Sequence, residues 1–529
     1  MANKNILLIE PGYKNKYPPL GLMKIAAYHN QYGKKDNIKF IKGTEDRAVF
    51  DINWDRIYVT TLFSFEWKEI SRTVDFALQV ANGNTNKIFV GGIAASLMHE
   101  EFLAESRWRG IRFINGLLGT SPAASLQLDE FEEDLYAEDT HGTPIEDLIP
   151  DYSILDQIKD QYVYPVHDAY FAYASRGCVR KCQFCGVPKL EGAQRDAQSI
   201  TALVNGIIDR YGPKKDLMLM DNNVVASQTY KDIIAEIRDL GFIRGAVYKN
   251  PRTGREMQRR VDFNQGVDAR ILCKDIMYLK EMSTIAIKPL RIAFDHIGVK
   301  KPYETAIRMA HEVGLDELSN YMLYNFHDTP TDLYERMRLN IDLNVELGTK
   351  IFSFPMRYQP TNMKDRSFIG ENWNKYWLRS MQIILQATHG IVSGSPEFFK
   401  IAFGDNPEAF ADLLSLPQHF LFNRSWYESY DGKPELEEYK KIYNNFNSEE
   451  KIELINLLSS TTPIFYAGLI GKANSSKVNS LLSFYVPLSQ ENEVKIWEDM
   501  KNIKQISENT NIPVDELVED AGLQEKIER

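Results

Sequence analysis

From Asn5 to Met356 the chain alternates short apolar runs with amphipathic stretches, and this alternation limits the folds open to it more than any other feature. "NILLIE", "IKFIKG", "RIYVTTLF", "KIFVGGIAAS" and "IRFINGL" read as strands. "PPLGLMKIAAYHNQYG" and "EWKEISRTVDFALQVANG" lie between them with helical spacing. Strands alternating with helices predict a doubly wound parallel sheet over residues 1–145. Ligands of such sheets gather beyond the carboxyl ends of the strands, which puts residues 11–20 and 91–96 on the expected rim.

A second series follows. "YFAYAS", "LMLMD", "FNQGVDA", "LRIAFD", "NYMLYNF" and "IFSFPM" are six strand candidates separated by helical patterns. Six β/α units predict a partial or complete barrel of parallel strands over residues 169–365, with its chemistry at the carboxyl ends. The acidic "LDEFEEDLYAEDTHGTPIEDLIPD" reads as a solvated linker, with 146–168 as the join between domains. Residues 366–529 lack the alternation and read as a helical accessory region, ending in the charged tail "PVDELVEDAGLQEKIER".

Charge and composition remove several classes. A net charge of −11 argues against broad attraction to nucleic acid or anionic membrane. No apolar run approaches the roughly 18 residues that span a bilayer. The opening "MANKNILLIEPGYK" reads as a strand rather than a signal peptide. Four cysteines in 529 residues rule out a disulfide scaffold. The expectation is a soluble protein of the reducing cytoplasm.

Three of those four cysteines, Cys178, Cys182 and Cys185, stand together in "RGCVRKCQFCGVP", directly after the first strand of the second series. Thiolates are soft ligands for iron–sulfur clusters or zinc. Structural zinc normally takes four ligands, and here there is one trio with no second pair. Three thiolates on a four-iron cluster leave one iron open to bind and activate a ligand.

With an aromatic residue, Phe184, just before the last cysteine, this stretch resembles the signature of the radical S-adenosylmethionine superfamily. The resemblance implies a 4Fe–4S cluster on Cys178, Cys182 and Cys185. Its open iron would chelate the amino and carboxylate groups of S-adenosylmethionine, and one electron would cleave the sulfonium. The 5′-deoxyadenosyl radical so formed would take a substrate hydrogen, the cofactor carrying the chemistry and the protein positioning it. It also implies Phe184 beside the adenine and Asp221, Asn222 and Asn223 near the methionine amine. Arg270, in "GVDAR", would face the methionine carboxylate, and Asp295 the ribose. His296, His327 and Arg357 are candidates for substrate contact. Each has a plainer reading: caps and turns for 221–223 and 327–329, an Asp268–Arg270 ion pair, polar strand ends facing solvent. Cys273, alone in the sequence, reads as a small buried hydrophobe.

"PPLGL" and "VGG" in the first series resemble the cobalamin-binding-type domain that precedes the radical domain in one large subgroup. Fold does not name the ligand. The base-off motif D-x-H-x-x-G is absent, so cobalamin stays open and is not favoured. "YKNPRTGREMQRR", with Arg244 just before it, puts Lys249, Arg252, Arg255, Arg259 and Arg260 in one short stretch of an acidic chain. It reads as a solvated loop, or as a contact for an anionic or nucleotide-like substrate or for a reductant such as flavodoxin. Nucleic acid is not favoured. The rival readings are a cobalamin-dependent radical methyltransferase and, in another class, a non-catalytic zinc or iron–sulfur scaffold.

Overall fold

The computed structural model describes residues 3–31, 35–118, 144–197 and 199–510. The chain divides into two compact units. The first is Met1–Ala293 with Pro302–Leu318 and Gln359–Phe368; the second is Phe294–Lys301, Ser319–Tyr358 and Ile369–Arg529. Among the described residues no helix is long and apolar enough to cross a membrane.

The first unit opens with β1 (Asn5–Glu10), α1 (Leu20–Gln31), β2 (Asn37–Lys42), β3 (Arg56–Thr61), α2 (Trp67–Val80), β4 (Ile88–Gly92), α3 (Ile93–Leu97) and β5 (Arg112–Phe113). The five strands form one parallel sheet in the order β2-β1-β3-β4-β5. β1 is apolar from Ile6 to Ile9 because both its faces are covered, and these four residues are fully buried. The order reverses between β1 and β3, the switch point at which such sheets hold ligands. At the end of β4, Gly92 has φ +102°, and a Cβ there would stand 2.3 Å from the Thr61 carbonyl oxygen. Only glycine lets β4 turn into α3 this close to β3. The fifth expected strand, "IRFINGL", shortens to the two residues of β5 at the sheet edge.

Residues 145–164, read from sequence as linker, are packed against this sheet. Ile145, Leu148, Tyr152, Ile154, Ile158 and Tyr164 are buried. The Tyr164 hydroxyl donates to Glu10, which also takes a hydrogen bond from Asn15 (2.8 Å) and an ion pair from Lys42 (2.8 Å). The acid-rich residues 119–143 and the tail 511–529 lie outside the described residues.

The second series begins in the same unit with β6 (Ala169–Ala172), α4 (Ile200–Tyr211), β7 (Asp216–Leu219), α5 (Tyr230–Asp239), β8 (Val261–Phe263) and β9 (Leu290–Arg291). β8, β7 and β6 are neighbours in that order and parallel. Single parallel bridges, Val261 to Ile287 and Val267 to Ile292, extend the array towards β9. A buried pair of hydrogen bonds from Arg291 to Asp262 (2.7 and 2.8 Å) fastens it. The third strand differs from expectation. It ends at Phe263, because Gly266 turns the chain at φ +81° and Asp268 caps a short helix, Ala269–Leu272. The basic insertion is also more ordered than a loop. Val247–Lys249 and Glu256–Gln258 pair as an antiparallel hairpin.

The second unit holds β10 (Glu317–Tyr324) from Ser319 onward, α6 (Pro330–Leu347) and β11 (Lys350–Arg357), with β10 and β11 adjacent in one sheet. α6 starts at a Thr329/Asp332 capping box followed by Pro330 and stops at left-handed Gly348. Helices from Lys375 to Thr510 make up the rest, as the sequence of that region suggests. The six strand candidates are thus all present, four lying in the first unit and two lying mainly in the second.

Candidate functional site

The three-cysteine loop leaves the carboxyl end of β6 and is framed by bonds from elsewhere in the first unit. Asp221, 2% exposed at the end of β7, accepts from the backbone N–H of Ala174 (3.0 Å) and from both the N–H and the hydroxyl of Ser175. Burial pushes its carboxyl up to about 6 against those donors. Next comes Gly177 at φ +74°, where a Cβ would stand 2.1 Å from the Ala193 carbonyl oxygen. That contact leaves room for glycine alone.

Glu191 closes the loop. Its carboxylate takes hydrogen bonds from the Gly177 N–H (2.8 Å), the Asn222 amide (2.9 Å) and Arg176 (3.1 Å). The Cys178 N–H donates to the Gly192 carbonyl (3.3 Å). Arg176 also pairs with Glu146 and lays its guanidinium 3.4 Å from the centre of the Tyr173 ring. On the other flank Arg180 pairs with Asp268 (2.6 Å), which is also bonded by Arg270 (2.7 Å). Burial alone would push the Asp268 carboxyl up; the bonds from Arg270 and Arg180 outweigh it and hold the group below its ordinary value. Asn223 accepts from the Asp268 N–H (3.4 Å).

All three cysteines are half-buried. The Cys178 sulfur accepts from the Arg180 N–H and the Cys185 sulfur from the Val187 N–H, each at 3.4 Å. Backbone donors to sulfur are of the kind that tune an iron–sulfur centre. Among the described residues no three His, Cys, Asp or Glu side chains converge on a single ion. A cluster spreads its thiolates over separate irons, and this donor set fits such a group. Phe184 is half-buried on the same loop. Cys273 lies apart, at the end of the helix that Asp268 caps.

Several expected ligand contacts therefore have protein partners here. Asp221, Asn222, Asn223 and Arg270 belong to the frame of the loop, and the Asp268–Arg270 pair is present. Glu191 and Arg180 were not anticipated. Nothing local marks Glu191, since its three donors come from distant positions in the sequence.

Asp295, His296, His327 and Arg357 are in the second unit. Asp295 and Arg357 are half-buried; His296 and His327 are exposed. His327 faces Glu371 at 3.1 Å. A fully buried arginine, also unanticipated, organises this region. Arg336 donates to the carbonyls of Phe294, Asp295 and Leu323 (3.1, 3.1 and 2.9 Å) and to Asp328 (3.2 Å). We expect Arg336→Met to cost about 3–5 kcal/mol, since it strands a buried carboxylate. Urea unfolding would show this as a loss confined to the second unit.

A cavity of about 210 Å³ opens beyond β3 and β4. Thr60, Gly91 and Gly92 form its floor and the first turns of α1 one wall. Tyr173, Arg176, Leu190 and Glu191, from the stem of the cysteine loop, form another.

No protein-family description matches the chain, and no curated protein sequence is similar to it. Solved structures do match. A radical S-adenosylmethionine methyltransferase, TsrM from Kitasatospora setae, with cobalamin and a [4Fe-4S] cluster bound, aligns at 14% identity with a TM-score of 0.42. The match covers 69% of this chain and 74% of that one. The same enzyme with tryptophan substrate and a SAM analogue bound gives 13% and 0.43, over 68% and 75% of the two chains. The apo form of the cobalamin-dependent S-adenosylmethionine radical enzyme OxsB gives 14% and 0.46, over 100% of this chain and 83% of that one. Both are enzymes of the superfamily that the cysteine stretch resembles.

Proposed function

We propose that the chain is a radical S-adenosylmethionine enzyme. The observation that carries this reading is the loop itself. Three thiols at C-x3-C-x2-C spacing follow the first strand of a parallel β/α series, with backbone donors to two of the sulfurs. Cys178, Cys182 and Cys185 would hold a 4Fe–4S cluster, with Phe184 beside the adenine. Asp221 to Asn223 and Arg270 would support the methionine end, mainly by fixing the loop. Asp295, His296, His327 and Arg357 remain candidates for ribose and substrate. Held by Cys178, Cys182 and Cys185, such a cluster would supply the one-electron reduction of a sulfonium. The protein's own part is to hold the thiols, orient the nucleoside and keep solvent from the site. The proposed domains are 1–145, a join at 146–168, a partial barrel over 169–365 and a helical region over 366–529, in a cytoplasmic protein served by an external reductant such as flavodoxin.

A second reading, the cobalamin-dependent methyltransferase, draws support from one observation. The first sheet has the β2-β1-β3-β4-β5 order, and beyond β3 and β4 it carries a mostly apolar cavity walled by the cysteine-loop stem. This raises cobalamin above its standing on sequence alone. The site would bind it without a base-off histidine motif.

Anaerobically reconstituted protein, given dithionite and S-adenosylmethionine, is expected to release 5′-deoxyadenosine and to contain iron. Stoichiometric cobalt on the same sample after incubation with hydroxocobalamin would favour the second reading. Zinc, or iron with no cleavage, would overturn both in favour of a scaffold.

A further inference from the structure

The hairpin that follows α5 is a strongly charged surface that neither reading uses. Residues 244–260 hold six basic side chains, Arg244, Lys249, Arg252, Arg255, Arg259 and Arg260, against one acid, Glu256. Five of the six are exposed. Arg259 is half-buried, its guanidinium 4.4 Å from the centre of the Phe242 ring and 5.7 Å from that of Tyr248. Among the described residues none of the six lies within ion-pair distance of a carboxylate. Cations close by do find partners: Lys215 pairs with Asp216 and Lys288 with Glu317. An uncompensated patch of one sign repels itself and attracts the other sign.

The hairpin also has open edges. Asn250 donates its N–H to the Arg255 carbonyl (2.9 Å) and Arg259 its N–H to the Ala246 carbonyl (2.8 Å). The register sets Val247 opposite Gln258 and Lys249 opposite Glu256. In such a ladder alternate residues point their N–H and C=O groups outward, and here those residues are Val247 and Lys249 on one strand, Glu256 and Gln258 on the other. No further strand pairs with either. The side chains of these four are exposed, while Tyr248, on the opposite face, is buried. Ile243 and Val247 place exposed apolar side chains among the charges. An open edge of this kind recognises an extended chain, main-chain bonds supplying affinity and flanking side chains specificity. Nucleic acid is matched less well, since the nearby rings of Phe242 and Tyr248 are buried and give a base nothing to stack on.

Arg260 directly precedes β8 and donates its N–H to Asp216, the first residue of β7 (3.1 Å). The hairpin is therefore at the amino-terminal ends of β7 and β8, whereas the cysteine loop leaves the carboxyl end of their parallel neighbour β6. That place suits a partner that is held rather than transformed. We infer that the hairpin is a docking site for an acidic polypeptide segment, which adds as an extended strand to the edge of Val247–Lys249 and sets its carboxylates against the unpaired cations. The inference rests on the hairpin and not on the radical assignment.

Fluorescence anisotropy on the full chain tests it with four labelled probes. The first is a peptide of repeated Glu-Val-Glu-Thr. The second has Gln in place of each Glu, the third has alternate backbone nitrogens methylated, and the fourth is an oligouridylate of the same length. We expect the first to bind at least about tenfold more tightly than the second, and to weaken as salt rises from about 0.05 M to about 0.3 M. The methylated peptide keeps its charge but cannot join a ladder, and should bind about tenfold more weakly as well. Two variants separate the contributions. Val247→Pro removes an outward N–H and none of the hairpin's own bonds; Arg252→Gln with Arg255→Gln removes charge from exposed positions. Each should weaken the first probe several-fold, with melting compared with wild type so that a folding defect in one does not decide the result. Equal binding of the methylated peptide would reduce the site to charge alone and overturn the inference. Tighter binding of the oligouridylate would make it a nucleic-acid surface and do the same. So would no binding of the first probe, or binding that both variants leave unchanged.

Discussion

Replacing Cys182 with Ala is expected to reduce 5′-deoxyadenosine release by at least about 10³-fold, that is, to the level without protein, because enzymatic accelerations of this kind exceed that range. The fold should survive. Cys182 is half-buried, and its backbone carbonyl, not its thiol, accepts the hydrogen bond from the Cys185 N–H (3.1 Å) that turns the loop. An alanine keeps that carbonyl. The melting temperature should therefore stay within about 2 °C of wild type. Loss of turnover with an intact melt, together with loss of the visible absorbance of an iron–sulfur centre, separates a ligand from a packing residue. Retained release in this variant would remove the cluster from these cysteines and end the radical assignment.

Glu191→Ala is expected to be nearly as damaging by a different route. Its carboxylate is the shared acceptor for the Gly177 N–H, the Arg176 guanidinium and the Asn222 amide. Alanine leaves the Gly177 N–H and the Asn222 amide without their acceptor and Arg176 with Glu146 as its remaining carboxylate, at a cost of about 3 kcal/mol. At 1.4 kcal/mol per decade, the formed loop would become a hundredfold or more less populated relative to open forms. Iron incorporated per chain should fall several-fold, and the cluster that does form should be lost faster to chelator. Glu191→Gln, which keeps one acceptor oxygen, should recover part of the iron. If Glu191→Ala binds iron normally and only slows turnover, the residue acts on the bound nucleoside and not on the loop.

How far such a residue can be foreseen depends on the distance over which its bonds act. The strand and helix patterns of the first 115 residues describe the sheet well, because buried parallel strands must be apolar and the helices between them amphipathic. "VGG" likewise points to the tight β4-to-α3 turn. The cysteine loop is legible because its three thiols are close in sequence and follow directly on β6. Glu191 and Arg336 are not, because a charge that is buried and satisfied looks in sequence like a charge on the surface. "FNQGVDA" shows the opposite error. Its composition suggests a strand, but Gly266 and Asp268 are turn and cap residues, and local backbone chemistry prevails after Phe263. The 145–164 stretch reads as linker since its acids are conspicuous, while the six apolar side chains that anchor it are spread among them.

The bonds that shape the cysteine loop are made by the polypeptide to itself, through Asp221, Glu191 and Asp268. The conformational entropy of ordering the loop is therefore met by folding rather than by metal binding. Air is the usual hazard for a centre of this kind. If the proposed cluster were lost to oxygen, a frame held by these bonds would still present its thiols in place, so repair would be a matter of redelivering iron and sulfide rather than of refolding the chain.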